Sequence, residues 1–153
     1  LFSTLSNSQI SKLINLSSLC SYGPGEIIAI EKESGDSLFM LIDGRVSITK
    51  GDITAGGTAI AQLRSGDICG EMTVFTDSPR SATIRSNSKS DILEIHRHAI
   101  AELIEEEPIL LERFSQLISD RQARLDNLEA QSISTSRRDV IGHMKEIFEK
   151  FLS

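Results

Sequence analysis

The stretch with the most chemical content is Gly66-Asp67-Ile68-Cys69-Gly70-Glu71-Met72-Thr73-Val74-Phe75, followed by Thr76-Asp77-Ser78-Pro79-Arg80-Ser81-Ala82-Thr83. The glycine at 70 lets the backbone turn tightly into a short helical segment. The first N–H groups of such a segment lack intrahelical acceptors and favour an anion. Glu71 sits one residue in, and Arg80 follows nine residues later. An arginine fork matches two oxygens of a phosphate. Together these residues suit a small phosphate ligand that carries a hydroxyl for Glu71 to accept from. A turn closed by a surface ion pair fits the same spacing. A pocket of this kind is expected to face water when empty, so losing the Arg80 side chain is expected to leave folding intact.

A second group, His96-Arg97-His98 with Glu102, has the His-x-His-x3-Glu spacing of the first metal motif of cupins, which are jelly-roll enzymes. Its context argues against that reading. The chain from Ala99 onward has a helical period, and only His143 remains as a further histidine. A zinc or iron centre needs about three converging protein ligands. Two partly exposed histidines at a strand–helix junction are the expectation. The chain has no nucleophile elbow, Walker loop or His-Glu-x-x-His motif, so no enzyme chemistry is assigned. Cys20 and Cys69 have no metal-type spacing and are expected to be reduced, buried thiols of a cytoplasmic protein.

The elements that must carry these residues follow from periodicity. Ser6-Asn7-Ser8-Gln9 fits a capping box, and Ile10, Leu13, Ile14 and Leu16 continue it as a short first helix. Gly23-Pro24-Gly25 reads as a turn. From Glu26 to Arg97 short apolar runs alternate with turns: Ile27–Ile30, Leu38–Ile42, Val46–Thr49, Ala59–Leu63, Ala82–Arg85 and Ile92–His96. Asp43-Gly44 between two of them is a hairpin signal. Seven or eight strands at this spacing predict a sandwich, barrel or jelly roll. Beyond His98 the period lengthens. Ile100, Leu103 and Ile104 mark a short helix, and Pro108 sits where a second would open. Leu110, Phe114, Leu117, Leu125 and Leu128 are expected to form one face of that long helix. A polar linker, Ala130–Ser136, precedes a last amphipathic helix carrying Val140, Ile141, Met144, Ile147, Phe148, Phe151 and Leu152.

Composition bounds the function. The chain has 153 residues, enough for one domain, and 39 % of them are apolar; with the ten glycines the fraction is typical of a globular chain. Sixteen basic against twenty-two acidic residues give a net charge of −6. That balance opposes nucleic-acid or anionic-membrane binding, which needs a basic face. No apolar run reaches the roughly 18–20 residues of a membrane span. The start, Leu1-Phe2-Ser3-Thr4, has no basic run and no Met, and reads as a mature or excised piece rather than a targeting signal.

Gly70-Glu71-Met72 followed by Pro79-Arg80-Ser81-Ala82-Thr83 resembles the phosphate-binding cassette of cyclic-nucleotide-binding domains. These occur in catabolite-activator-type regulators, protein kinase A regulatory subunits and cyclic-nucleotide-gated channels. Tyr22-Gly23-Pro24-Gly25-Glu26-Ile27-Ile28 resembles the family's entry to strand two, and Gly35–Val46 its central hairpin. The resemblance implies an α+β fold: an eight-stranded antiparallel β-roll (jelly roll) with an N-terminal helix and two helices after the roll, over residues 1–131. Residues 132–153 would add a linker and one extra C-terminal helix.

The resemblance also implies roles. Glu71 would accept from the ribose 2′-hydroxyl and Arg80 would pair with the cyclic phosphate. Gly70, Met72, Thr73, Ser81 and Ala82 would line the cassette, several through backbone N–H groups. The family usually has an aromatic residue where Cys69 stands and a small one where Thr73 stands, so Thr73 would crowd the phosphate or add a hydroxyl donor. A threonine after the cassette arginine favours guanine in the family; Ser81 keeps only the hydroxyl. The long helix would cap the base from the region of Arg121, Arg124, Leu125 and Asp126.

The expected ligand is cAMP ahead of cGMP, with no cofactor, no metal and no nucleic acid as partner. The expected role is regulation of a linked effector, a membrane channel, with homo-oligomer contacts through the C-terminal helices. Arg137-Arg138-Asp139-Val140 through Ser153 resembles the ending of bacterial mechanosensitive-type cyclic-nucleotide-gated channels. The rival within the family is a truncated catabolite-activator-type transcription regulator, for which residues 132–153 leave room for one helix only.

Overall fold

A computed structural model describes residues 5–51 and 57–129, with side chains up to Asp120. Helix α1 (Asn7–Asn15) opens with the expected box: Gln9 N–H donates to Ser6 Oγ at 3.2 Å, and Ser6 N–H donates to Gln9 Oε1 at 2.9 Å. The roll follows as β1 (Ser18–Tyr22), β2 (Ile27–Ala29), β3 (Ser37–Asp43), β4 (Val46–Lys50), β5 (Thr58–Leu63), β6 (Ile68–Cys69), a short helix α2 (Glu71–Thr76), β7 (Thr83–Ser86) and β8 (Ser90–His96). Helices α3 (Arg97–Glu106) and α4 (Ile109–Glu129) close the described chain. All strand pairs are antiparallel, in two four-stranded sheets ordered β1-β8-β3-β6 and β2-β7-β4-β5. The α+β roll is therefore the fold, with its eight strands, leading helix and two following helices. The extra C-terminal helix lies outside the described residues. Among these residues no helix is long and apolar enough to cross a membrane.

The period of two along β3 and β8 separates two cores. Leu38, Leu93 and Ile95 face the helices, where they meet Val74, Phe75, Ile100, Leu103, Leu110 and Phe114. Phe39, Leu41 and Ile92 face the other way, into the roll, with Val46, Cys69 and Ile84. Since alternate residues of a strand share a face, Ser37 lies on the inner side with Phe39, and Glu94 with Ile92. A polar pair is thereby directed into one end of an apolar roll.

Several expectations change. Asp43-Gly44 is not a hairpin, because β3 and β4 belong to different sheets. Gly44 (φ 112°) carries the chain across between them, and a Cβ there would stand 2.6 Å from the Lys89 carbonyl and 2.4 Å from Ser90 Oγ. The paired neighbours of β4 are β5 and β7. Strand β1 had no sequence signal: Ser-Leu-Cys-Ser-Tyr is largely exposed, so it has no apolar alternation. Leu117 is not on the buried face of α4; it is 38 % exposed, and Ile118 is buried in its place, with Ser115 and Ser119 beside it. Small residues complete that stripe, which an apolar count overlooks. Leu125 and Leu128 lie beyond the described side chains. Cys69 is buried, but Cys20 is only half-buried; both are free thiols.

Candidate functional site: the cassette between β6 and β7

Gly70 takes φ 80°, a left-handed conformation open to glycine at little cost, and from it the chain enters α2. The helix stops at Asp77, also left-handed at φ 55°, whose N–H donates to the Thr73 carbonyl. Arg97, the first residue of α3, braces this end. Its Nε donates to the Val74 carbonyl at 2.9 Å, and Nη2 to the Thr73 carbonyl at 2.8 Å and to Asp77 Oδ1 at 3.2 Å. Carbonyls at a helix end carry partial negative charge and lack intrahelical donors, so a cation there fixes the helix. Arg97 appeared in the sequence only as the middle of a His-x-His pattern. Its two neighbours stack ring on ring at 5.6 Å, with His96 beside Asp36 and Glu94 at 3.5 and 3.7 Å. No cluster of three or more His, Cys, Asp or Glu able to hold a metal occurs among the described residues.

At the other end of the cassette the backbone of Arg80 is pinned to the β2–β3 loop. Lys32 N–H donates to the Arg80 carbonyl at 2.7 Å, and Arg80 N–H donates to the Glu33 carbonyl at 2.8 Å. The side chain does not face water, contrary to expectation: Arg80 is 7 % exposed. Its Nη1 donates to the Ser37 carbonyl at 2.5 Å and, at 3.5 Å, to that of Gly70; Nη2 donates to Ser37 Oγ at 3.1 Å. The guanidinium lies over the Phe39 ring, 5.0 Å from its centroid. Two glycines make room for it. A Cβ on Gly35 would stand 2.6 Å from both Nε and Nη2, and one on Gly70 2.7 Å from Nη1. Burial pushes the guanidinium pKa down, against the pull of Cys69, Glu94 and Asp36.

Among the described residues no carboxylate comes within ion-pair distance of Arg80. Glu94 acts at one remove, accepting from Ser37 Oγ at 2.7 Å. A buried cation without a direct counter-ion is costly, and an anionic ligand would supply one. The guanidinium borders a cavity of about 230 Å³ lined by Ile28–Ile30, Glu33–Ser37, Phe39 and Glu94.

The other expected site residues are brought near but in differing roles. Glu71 is half-buried at the start of α2, and Ser81 is exposed beside the buried Ala82. Neither Ser81 nor Ala82 N–H has an acceptor among the described residues. Met72 packs against the helix-side core. Thr73 is buried and supplies a carbonyl to Arg97, so its hydroxyl does not stand over an open cleft. The side chains of Arg124 and Leu125 lie outside the described ones, as do those of Arg121 and Asp126. Sequence reasoning missed Gly35, Ser37, Phe39, Glu94 and Arg97. It also missed the open side of the roll: Ala61 and Leu63 pair with Ile48 and Val46 and so share their inward face, yet Ala61 is exposed.

The comparisons with known proteins bear on the fold and the family. A putative potassium channel protein of Rhodopseudomonas palustris is 27 % identical over 129 residues, which are 84 % of this chain and 31 % of that protein. A cGMP-dependent protein kinase of Toxoplasma gondii is 31 % identical over 99 residues, 65 % of this chain and 10 % of the kinase. This chain thus spans less than a third of each relative. A solved structure described as "Sp-2Cl-cAMPS bound to PKAR CBD2" superposes with a TM-score of 0.63 at 26 % identity, over 81 % of this chain and 82 % of that one. The Thermus thermophilus catabolite activator protein shares the fold, with a TM-score of 0.71 at 19 % identity over 98 % of this chain and 87 % of that one. The family model described as "Cyclic nucleotide-binding domain" matches residues 19–107, more than half of the chain, and the chain belongs to that family.

Proposed function

We propose that this chain is a regulatory module that binds a 3′,5′-cyclic nucleotide, cAMP ahead of cGMP, and passes occupancy to a linked effector through α4. The observation that carries this reading is the buried guanidinium of Arg80 at the end of the cassette, which among the described residues has no carboxylate in direct contact. The cyclic phosphate would be held by Arg80 and the N–H groups of Ser81 and Ala82, and Glu71 would accept from the ribose 2′-hydroxyl. The inward, exposed surface at Ala61 offers an apolar wall for ribose and base. Ser81 keeps the hydroxyl of the family's guanine-favouring threonine without its methyl group, which weakens the case for guanine. The proposed role is binding without turnover. A channel effector is supported by the Rhodopseudomonas palustris relative.

Calorimetric titration of the chain with cAMP and cGMP tests the reading. Binding of both, with cAMP tighter, is expected; no heat at millimolar nucleotide overturns it. Hydrogen exchange tests the coupling. Protection is expected to rise at 70–82 and also at 118–131, where the base would add contacts to α4. A ligand shifts a conformational population only through differential affinity, typically about 1–3 kcal/mol of coupling. Protection confined to 70–82 would remove α4 from the mechanism.

A further inference from the structure

The histidine pattern of the sequence has no part in the binding reading, yet one of its members stands beside the cassette arginine. His96 pairs with Ser37 across β8 and β3 and shares the inner face with Glu94, two residues before it. Its ring nitrogens meet two different carboxylates: Nδ1 lies 3.5 Å from Asp36 Oδ1, and Nε2 lies 3.7 Å from Glu94 Oε1. The Asp36 carbonyl accepts from Arg97 N–H at 2.7 Å, which fixes that residue beside the ring. A neutral imidazole has one N–H and would turn a lone pair toward one of the carboxylates; only the imidazolium donates at both ends. The second oxygen of Glu94 accepts from Ser37 Oγ, which accepts in turn from Arg80 Nη2. One run of polar contacts thus joins His96 to the guanidinium. The Nε–Nη2 edge of Arg80, beside Gly35, faces the cavity and can take a phosphate as a fork. Glu33, Asp36 and Glu94 line the same cavity, so an anion entering it meets three carboxylates around one guanidinium. The remaining titratable neighbour of the His96 ring is His98 of α3, stacked on it at 5.6 Å; β1, the other partner of β8, carries no Asp, Glu, Lys, Arg or His.

We propose that His96 is a positioning residue of the anion site: protonated, it clamps Asp36 and Glu94 and cancels part of their charge, so that the chain binds cyclic nucleotide more tightly in acid than in alkali. The proposal rests on the nucleotide-binding reading above. His96 is assigned no ligand contact and acts through the two carboxylates. As pH rises, the imidazolium loses its proton, the carboxylates stand uncancelled beside the phosphate, and affinity falls. A cyclic phosphate keeps its single charge over the range in which imidazoles ordinarily titrate, about pH 5–8, so the ligand itself contributes no slope. A proton on His98 would oppose one on His96, so His98 is not the source of the effect.

Two measurements on the full chain test it. In calorimetric titration, the wild-type affinity for cAMP is expected to fall about fivefold from about pH 5.5 to about pH 8. His96→Gln is expected to lose this slope and to bind throughout as weakly as the wild type does at the alkaline end. His98→Gln is expected to keep the slope. Glu94→Gln, which removes a carboxylate and leaves the imidazole, is expected to bind at the alkaline end about as tightly as the wild type at the acidic end, and it decides the matter should His96→Gln fail to fold. A wild-type affinity that is level or rises with pH overturns the proposal, as does a slope that survives in His96→Gln or one that is lost in His98→Gln. In ¹⁵N spectra of the nucleotide-free protein at about pH 5.5, the His96 ring is expected to show both N–H protons resolved from water, and Glu94→Gln is expected to lose the one on Nε2. His96 protons averaged with water in the wild type, or unchanged in Glu94→Gln, overturn the clamp. Level binding across pH would refute the role of His96 and leave the nucleotide reading standing, whereas a wild type that binds neither cAMP nor cGMP at any pH refutes both.

Discussion

Two buried arginines sit at opposite ends of one short helix and do different work. Arg97 is satisfied by two carbonyls at the end of α2 and by the Asp77 carboxylate. Arg80 has a carbonyl, a hydroxyl and a distant second carbonyl, with no carboxylate in direct contact among the described residues. Both side chains are nearly closed to solvent, so burial does not separate them. The partner set does. A cation whose charge is met within the chain is a brace, and one whose charge is met only through a neutral hydroxyl is poised for an anion.

The sharpest way to break this comparison is to remove each arginine. Arg97→Ala leaves the Val74 carbonyl and the end of α2 without their donor. Asp77 is largely exposed, so the loss comes from the carbonyls left without a donor, about 1–3 kcal/mol each, and urea denaturation should show a loss of that order, with the cassette disordered as a consequence. Arg80→Ala should cost less stability, about 1–2 kcal/mol, because the adjoining polar cavity lets water reach Ser37. Its nucleotide affinity should instead fall by roughly two to four decades, from two charge-assisted bonds of about 1.5–3 kcal/mol each. Equal stability losses in the two variants would erase the distinction.

The two arginines were unequally legible. Arg80 stands out because glycine, glutamate and arginine at this spacing suit an anion, a reading the chain alone offers beside that of a turn closed by a surface ion pair. Its burial was not legible, because the partners that enclose it come from β3 and β8, forty-three and fourteen residues away. Arg97 was hidden inside a histidine pattern, since its role depends on where α2 ends in space. The strands with apolar alternation were readable. Strand β1 and the two-residue β6 were not, for they form by pairing with β8 and β3 rather than from local preference. On α4, Leu117 and Ile118 are adjacent, so one residue of helical phase decided the assignment.

A gentler test concerns the glycines that make room for Arg80. Gly35 has no unusual φ, so Gly35→Ala probes space alone. Its new methyl would meet Nε and Nη2 at 2.6 Å, and overpacking of this kind costs about 1–3 kcal/mol. In an Arg80→Ala background most of that cost should vanish, giving a coupling free energy of about the same size in a double-mutant cycle. Additive losses would mean that Gly35 is needed for its backbone rather than for Arg80.

The smallest effect is expected at Lys32, on the loop that pins the Arg80 backbone. Lys32 adopts φ 72°, a left-handed conformation that costs a side-chain-bearing residue roughly 1–2 kcal/mol. The chain tolerates it because the turn brings Lys32 N–H onto the Arg80 carbonyl and the Glu33 carbonyl onto Arg80 N–H. Lys32→Gly removes the steric cost but adds freedom to the unfolded chain, worth roughly 0.5–1 kcal/mol in the other direction. The net expectation is a gain of about 0.5 kcal/mol, read as a shift in the urea midpoint with unchanged slope. The same variant should leave nucleotide affinity within about twofold, because it alters how the loop is strained and not which atoms hold the guanidinium. A clear loss of stability would show that the Lys32 side chain contributes more than its backbone conformation costs, and would place the loop among the parts of the site rather than beneath it.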